Sequence, residues 1–152
     1  MFAKQDTGQK GVRHYRRSIT LHNDVQEVPL LNAFVDEVCK NMGFDVTLTM
    51  KMNLAIEEAV VNVMNYAYAE GTTGEVYIEA NADDACLEFV IRDSGVPFDP
   101  TSNTVVDTTL PAEVRPIGGL GIFLVKQLMD TVHYKRHDGQ NILTLQKKMN
   151  RQ

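Results

Sequence analysis

A chain of 152 residues, 43% hydrophobic and 23% charged, has the make-up of an ordinary soluble domain and is long enough to bury a core of its own. Its formal net charge of −5 argues against nucleic acid or an anionic membrane as the main partner. The two cysteines, Cys39 and Cys86, stand in apolar settings outside any CxxC or Cys/His spacing, which speaks against a metal site and fits reduced core thiols.

Residues 1–11 are polar and lack the apolar stretch of a signal peptide, and no apolar run approaches the roughly 18 residues of a membrane span. The expectation is a cytoplasmic protein with a polar tail over 1–11 and one domain over 12–149. The basic cluster Arg13-His14-Tyr15-Arg16-Arg17 runs into the alternating Ser18-Ile19-Thr20-Leu21. It reads as the start of a charged edge strand over Tyr15 to Leu21, ahead of any nucleic-acid patch.

Val28 to Met42 carries Leu31, Phe34, Val35 and Val38 at helical spacing, with Gly43 as its stop. This apolar stripe serves either the core or a homodimer contact. A longer helix starts at Asp45 or Thr47 and runs to about Ala69, closed by Glu70-Gly71-Thr72-Thr73-Gly74. Glu75 to Asn81 and Ala85 to Arg92 read as two strands joined by an Asn-Ala-Asp-Asp turn. Asp99 to Pro116 has little periodicity and three prolines, a length that favours a functional lid over a simple connector. A glycine-rich segment then opens a helix to about Met129. Val132 to Arg136 and Ile142 to Lys147 form a last hairpin around His137-Asp138-Gly139-Gln140. Strands without regular βαβ alternation predict an α+β fold: a two-layer sandwich, with helices on one face of a mixed, mostly antiparallel sheet.

Three segments carry chemistry. On a helical wheel of about 100° per residue, Ile56, Val60, Val63 and Ala67 share one stripe, flanked by Met52, Ala59 and Met64. Glu58, Asn62 and Asn65 fall on the opposite face, with Glu58 and Asn62 one turn apart. An amide oxygen suits Mg²⁺, and a carboxylate one turn away could take a proton from a hydroxyl. A solvated polar face would look the same. In Leu87-Glu88-Phe89-Val90-Ile91-Arg92-Asp93, residues 87, 89 and 91 alternate inward and Asp93 shares their phase. A buried carboxylate needs a donor, which an adenine amine could supply, and Gly95 would let the backbone pass close to a flat base. Alternatively Asp93-Ser94-Gly95 is only a turn in which Asp93 bonds its own backbone. Finally, Gly118-Gly119-Leu120-Gly121 opens a helix, whose unpaired N–H groups favour an anion such as phosphate. Tight packing is the other reading of those glycines. The four histidines lie on strands or turns without metal-ligand spacing.

Taken in order, these segments resemble the N-box and the first and second glycine boxes of the GHKL (Bergerat-fold) ATP-binding domains, which share the histidine-kinase-like ATPase fold. Glu58-Ala59-Val60-Val61-Asn62, Asp93-Ser94-Gly95-Val96-Pro97-Phe98-Asp99-Pro100 and Gly119-Leu120-Gly121-Ile122-Phe123-Leu124 look like the anti-sigma-factor serine/threonine kinase branch, where Pro replaces a glycine of the first box. The resemblance runs from about Tyr15 to Lys148. It implies ATP and Mg²⁺ as cofactors, Asn62 as the Mg²⁺ ligand and Glu58 as the base that deprotonates a partner's serine. It also implies Asp93 on the adenine amine, with Gly95 lining the base pocket. Gly118, Gly119, Leu120 and Gly121 would wrap the phosphates, with Arg115 reaching the terminal one from the lid. The partner it implies is an anti-sigma-antagonist protein, with a sigma factor as a further target. One departure stands out: many members of this branch carry His-Ala four residues after the N-box Asn, and this chain has Tyr66-Ala67. Two rivals share the boxes. One is a non-catalytic module in which bound ATP or ADP is only a switch for sequestration; the other is the ATPase half of a histidine kinase.

Overall fold

The computed structural model describes residues 14–102 and 119–149. Five strands form one sheet: β1 (Tyr15–His22), β2 (Glu75–Ala82), β3 (Cys86–Asp93), β4 (Thr131–His137) and β5 (Gln140–Lys148), in the order β1-β2-β3-β5-β4. Three helices, α1 (Val28–Asn41), α2 (Val46–Tyr66) and α3 (Gly119–Leu128), pack on the sheet. The architecture is therefore the predicted α+β sandwich, and its four strand pairings are all antiparallel. β1 lies at an edge, as its charge predicts, and its arginines are tied inward. Arg16 bonds Glu79 through Nε at 3.0 Å, and Arg17 pairs with Glu37 of α1.

Local chemistry sets the helix ends. The Asp45 side chain accepts the Leu48 N–H at 2.8 Å and starts α2, satisfying one of the orphan donors of its first turn. α2 ends at Tyr66, three residues before the predicted Ala69, because the next stretch turns back to receive the loop after β3. The α1 stripe is core: Leu31, Phe34, Val35 and Val38 are buried beneath the helix, together with Cys39. Burial pushes the Cys39 thiol up to about 12, in keeping with an inert core thiol. Cys86 is half-buried, and both cysteines are free. In the sheet, Val76, Ile78, Ala80 and Ala82 of β2 and Leu87, Phe89 and Ile91 of β3 face the helices. Each large side chain so buried contributes about 1.5–3 kcal/mol. The same alternation carries Asp93 onto the helix-facing side at the end of β3, at the mouth of the layer between sheet and helices.

Candidate functional site

Asp93 is buried at 3% exposure, in phase with the β3 core residues. Two donors meet one of its oxygens, Oδ1: the Gly95 N–H at 2.9 Å and Asn141 Nδ2 at 2.8 Å. The turn and the buried carboxylate, alternatives in the sequence, are thus both present. Oδ2 has no donor among the described residues. Burial raises the Asp93 carboxyl above its usual range, while the bonds from Asn141 and Gly95 and the charge of Arg136 act in the opposite sense.

The loop that follows is pinned along its length. Tyr68 Oη accepts the Ser94 N–H at 3.1 Å and donates to the Glu75 carbonyl at 2.6 Å. Arg136 donates to the Gly95 carbonyl at 2.8 Å, and the Val96 N–H bonds the Ala67 carbonyl at the end of α2 at 2.7 Å. A Cβ at Gly95 would collide with that same Ala67 carbonyl, so only glycine lets β3 exit across the end of α2. Phe98 then folds back to pack on Tyr66, ring centroids 5.7 Å apart. Tyr66, the departure from the family pattern, is half-buried at the rim of this loop.

Glu58 and the second glycine box meet directly. A Cβ built on Gly121, in the first turn of α3, would overlap the Glu58 carboxylate. The bare Gly121 backbone is what lets α3 lie on Glu58. Asn62, one turn further along α2, is buried at 5% exposure. This corrects the simple wheel, which sets Glu58, Asn62 and Asn65 on a face opposite the core: Asn65 is exposed, Glu58 is half-buried and Asn62 is covered. The structure brings Asp93 together with Gly95, and Glu58 together with Gly121. Gly119 and Leu120 belong to α3. Arg115, Gly118 and most of the lid over Asp99 to Pro116 lie outside the described residues. Substituting Gly121→Ala drives a methyl into the Glu58 carboxylate. The displaced carboxylate is expected to shift the melting temperature by only a few degrees, which thermal denaturation checks.

Asn141 escaped the sequence reading. It faces Asp93 directly across the β3–β5 ladder and is 3% exposed. The signal was available. Leu143 and Leu145 alternate inward, so Asn141 is a polar residue in core phase at a strand start, as Asp93 is at a strand end. Starting the strand at Ile142 hid it.

A buried carboxylate with one open oxygen, beside a glycine without room for a side chain, fits an amino-bearing planar base. A helix of glycine-rich first turn, lying on a carboxylate that is one turn of α2 from a buried amide, fits the phosphate end of the same ligand. Over residues 21–147 the sequence matches the histidine kinase-like ATPase domain, and the chain belongs to that family. Membership implies ATP binding. Among individual proteins, the chain is 31% identical over 120 residues to the serine-protein kinase RsbW of Bacillus cereus (strain AH820), covering 76% of this chain and 74% of that one. Identity and coverage are the same with the RsbW proteins of Bacillus anthracis and of Bacillus thuringiensis (strain Al Hakam). The fold matches a crystal structure of the RsbU and RsbW domains of a Mycobacterium tuberculosis protein, with a TM-score of 0.64 at 18% identity over 90% of this chain. This chain spans 33% of that longer one. Among the described residues, no helix is long and apolar enough to cross a membrane.

Proposed function

We propose that this chain is a cytoplasmic, Mg-ATP-dependent protein serine/threonine kinase of the anti-sigma type, acting on a serine of a small anti-sigma-antagonist partner and so regulating transcription, with a sigma factor as a second target. The observation that carries the reading is the seat of Glu58 on the Gly121 backbone, which joins a proton acceptor to the phosphate-binding turn. Bound Mg-ATP would supply an electrophilic terminal phosphoryl group. Everything else falls to the protein. Asp93 Oδ2 would accept the base amine, and Gly95 would lie along the base. Gly118, Gly119, Leu120 and Gly121 would offer backbone to the phosphates, with Arg115 at the terminal one. Asn62 would give Mg²⁺ one neutral oxygen, which suits an ion that keeps waters and phosphate oxygens as its other ligands. Glu58 would take the proton of the incoming serine hydroxyl at its carboxylate. Phosphoryl transfer asks mainly for such positioning and charge placement. Residues 12–149 would form the working domain, with 1–11 a polar tail.

Tyr66 favours a second reading, an ATP/ADP-binding module that sequesters its partner without transfer, because the family histidine is replaced by a ring packed on Phe98. Incubation with labelled ATP and Mg²⁺ beside the small proteins encoded next to it separates the two. A labelled partner serine is the expected result. Nucleotide binding with no transfer to any partner would favour the switch, and absence of ATP binding would sink both.

A further inference from the structure

An amide side chain has two donor hydrogens and two main acceptor directions. Asn141 spends all four inside the protein. Its Nδ2 donates to Asp93 Oδ1 and to the Val96 carbonyl, each at 2.8 Å. Its Oδ1 accepts the Phe98 N–H at 3.1 Å and the Tyr134 hydroxyl at 2.5 Å. One buried residue therefore holds the carboxylate and two points of the loop after it, Val96 and Phe98, from the strand directly opposite.

Resting on the nucleotide reading above, we infer that Asn141 is a positioning residue for base selection: it fixes Asp93 Oδ1 so that Oδ2 alone is presented to a 6-amino purine. Asn141 has no hydrogen or lone pair left for the base, so its influence passes through Asp93. Its bond to Oδ1 sets the plane of the carboxylate, and its bonds to Val96 and Phe98 set the loop along which the base lies. Without Asn141, Oδ1 keeps, among the described residues, only the Gly95 N–H, and the carboxylate is free to turn about its last bond. A turned carboxylate no longer separates a purine with an amine at position 6 from one with hydrogen there. The triphosphate end of the ligand is held elsewhere and is untouched by the change.

Calorimetric titration of the full chain with ATP and with purine riboside triphosphate, which lacks the 6-amino group, reads this directly. The unmodified protein is expected to prefer ATP by about tenfold or more, the weight of one hydrogen bond to a charged group. In Asn141→Ala the ratio of the two affinities should fall to within about twofold of one, the loss being in ATP rather than in the analogue. Asn141→Ser keeps a smaller donor and is expected to give an intermediate ratio; it serves as the reporting variant where thermal denaturation shows the alanine form unfolded. A folded variant that weakens both nucleotides equally, leaving the ratio unchanged, would reduce Asn141 to a structural clip and overturn the inference alone. Failure of the unmodified chain to bind ATP would overturn the inference together with the reading beneath it.

Discussion

Under the proposed kinase function, Glu58→Gln is expected to leave ATP bound and to slow the transfer. A general base contributes about 10²–10⁴-fold to a rate, so turnover on the partner serine should fall by that factor. The glutamine is the same size and keeps its place on the Gly121 backbone, so the first turn of α3 keeps its seat on α2. What changes is charge. In the proposed site this carboxylate would lie beside the phosphates and repel them, so removing it should hold the dissociation constant for ATP steady or lower it. The signature is a fall in kcat with no loss of nucleotide affinity, measured by transfer of labelled phosphate and by calorimetry on the same preparations. Parallel loss of ATP affinity would recast Glu58 as a prop for the glycine turn. Undiminished transfer would remove it from the chemistry.

That prediction rests on a contact between two segments about sixty residues apart in sequence, and the sequence holds only half of it. Asp93 and the helix-opening glycines are conspicuous because each breaks a local rule, a carboxylate in core phase and glycine in a first helical turn, whereas Glu58 and Asn62 stand out only through the order of the three segments. The strands were legible too, since alternation over Glu75 to Arg92 leaves one register that buries Val76, Ile78, Phe89 and Ile91 together. Tertiary cover was not. Periodicity in α2 puts Asn62 with Asn65 away from the apolar stripe, yet Asn62 is buried and Asn65 exposed, while α3 lies on Glu58 of the same polar face. The wheel of one helix contains no information about what packs against it. Asn141 was lost for a smaller reason. A strand boundary set two residues late excluded the polar position that faces Asp93. Tyr66 shows the converse, a substitution conspicuous in sequence whose ring simply packs on Phe98 at the loop rim.

Asp93→Asn is expected to separate binding from folding at the other end of the site. The variant amide can accept the Gly95 and Asn141 donors through its oxygen, as Asp93 Oδ1 does. That leaves an NH₂ group where Oδ2 stood, which on the proposed reading would face the base amine that Oδ2 accepts. Loss of a hydrogen bond to a charged group costs about 1.5–3 kcal/mol, and opposing two donors adds to it, so ATP affinity should drop by about 100-fold or more. Stability should move the other way. The folded carboxyl titrates above its unfolded value, chiefly through burial. Below the unfolded value both states are protonated, and the group carries no penalty. As pH rises through the folded value the carboxylate ionises in its buried place, and that share of stability is lost. At neutral pH the native protein bears this loss and the asparagine variant does not. The variant should therefore melt at or above the native temperature at pH 7, with its advantage shrinking in acid below the carboxylate range. Denaturation at the two pH values, beside calorimetry with ATP, checks both halves. A variant that binds poorly and also melts well below the native protein at pH 7 would mark Asp93 as a strut of the β3–β5 ladder, and the lost affinity would then say nothing of the base.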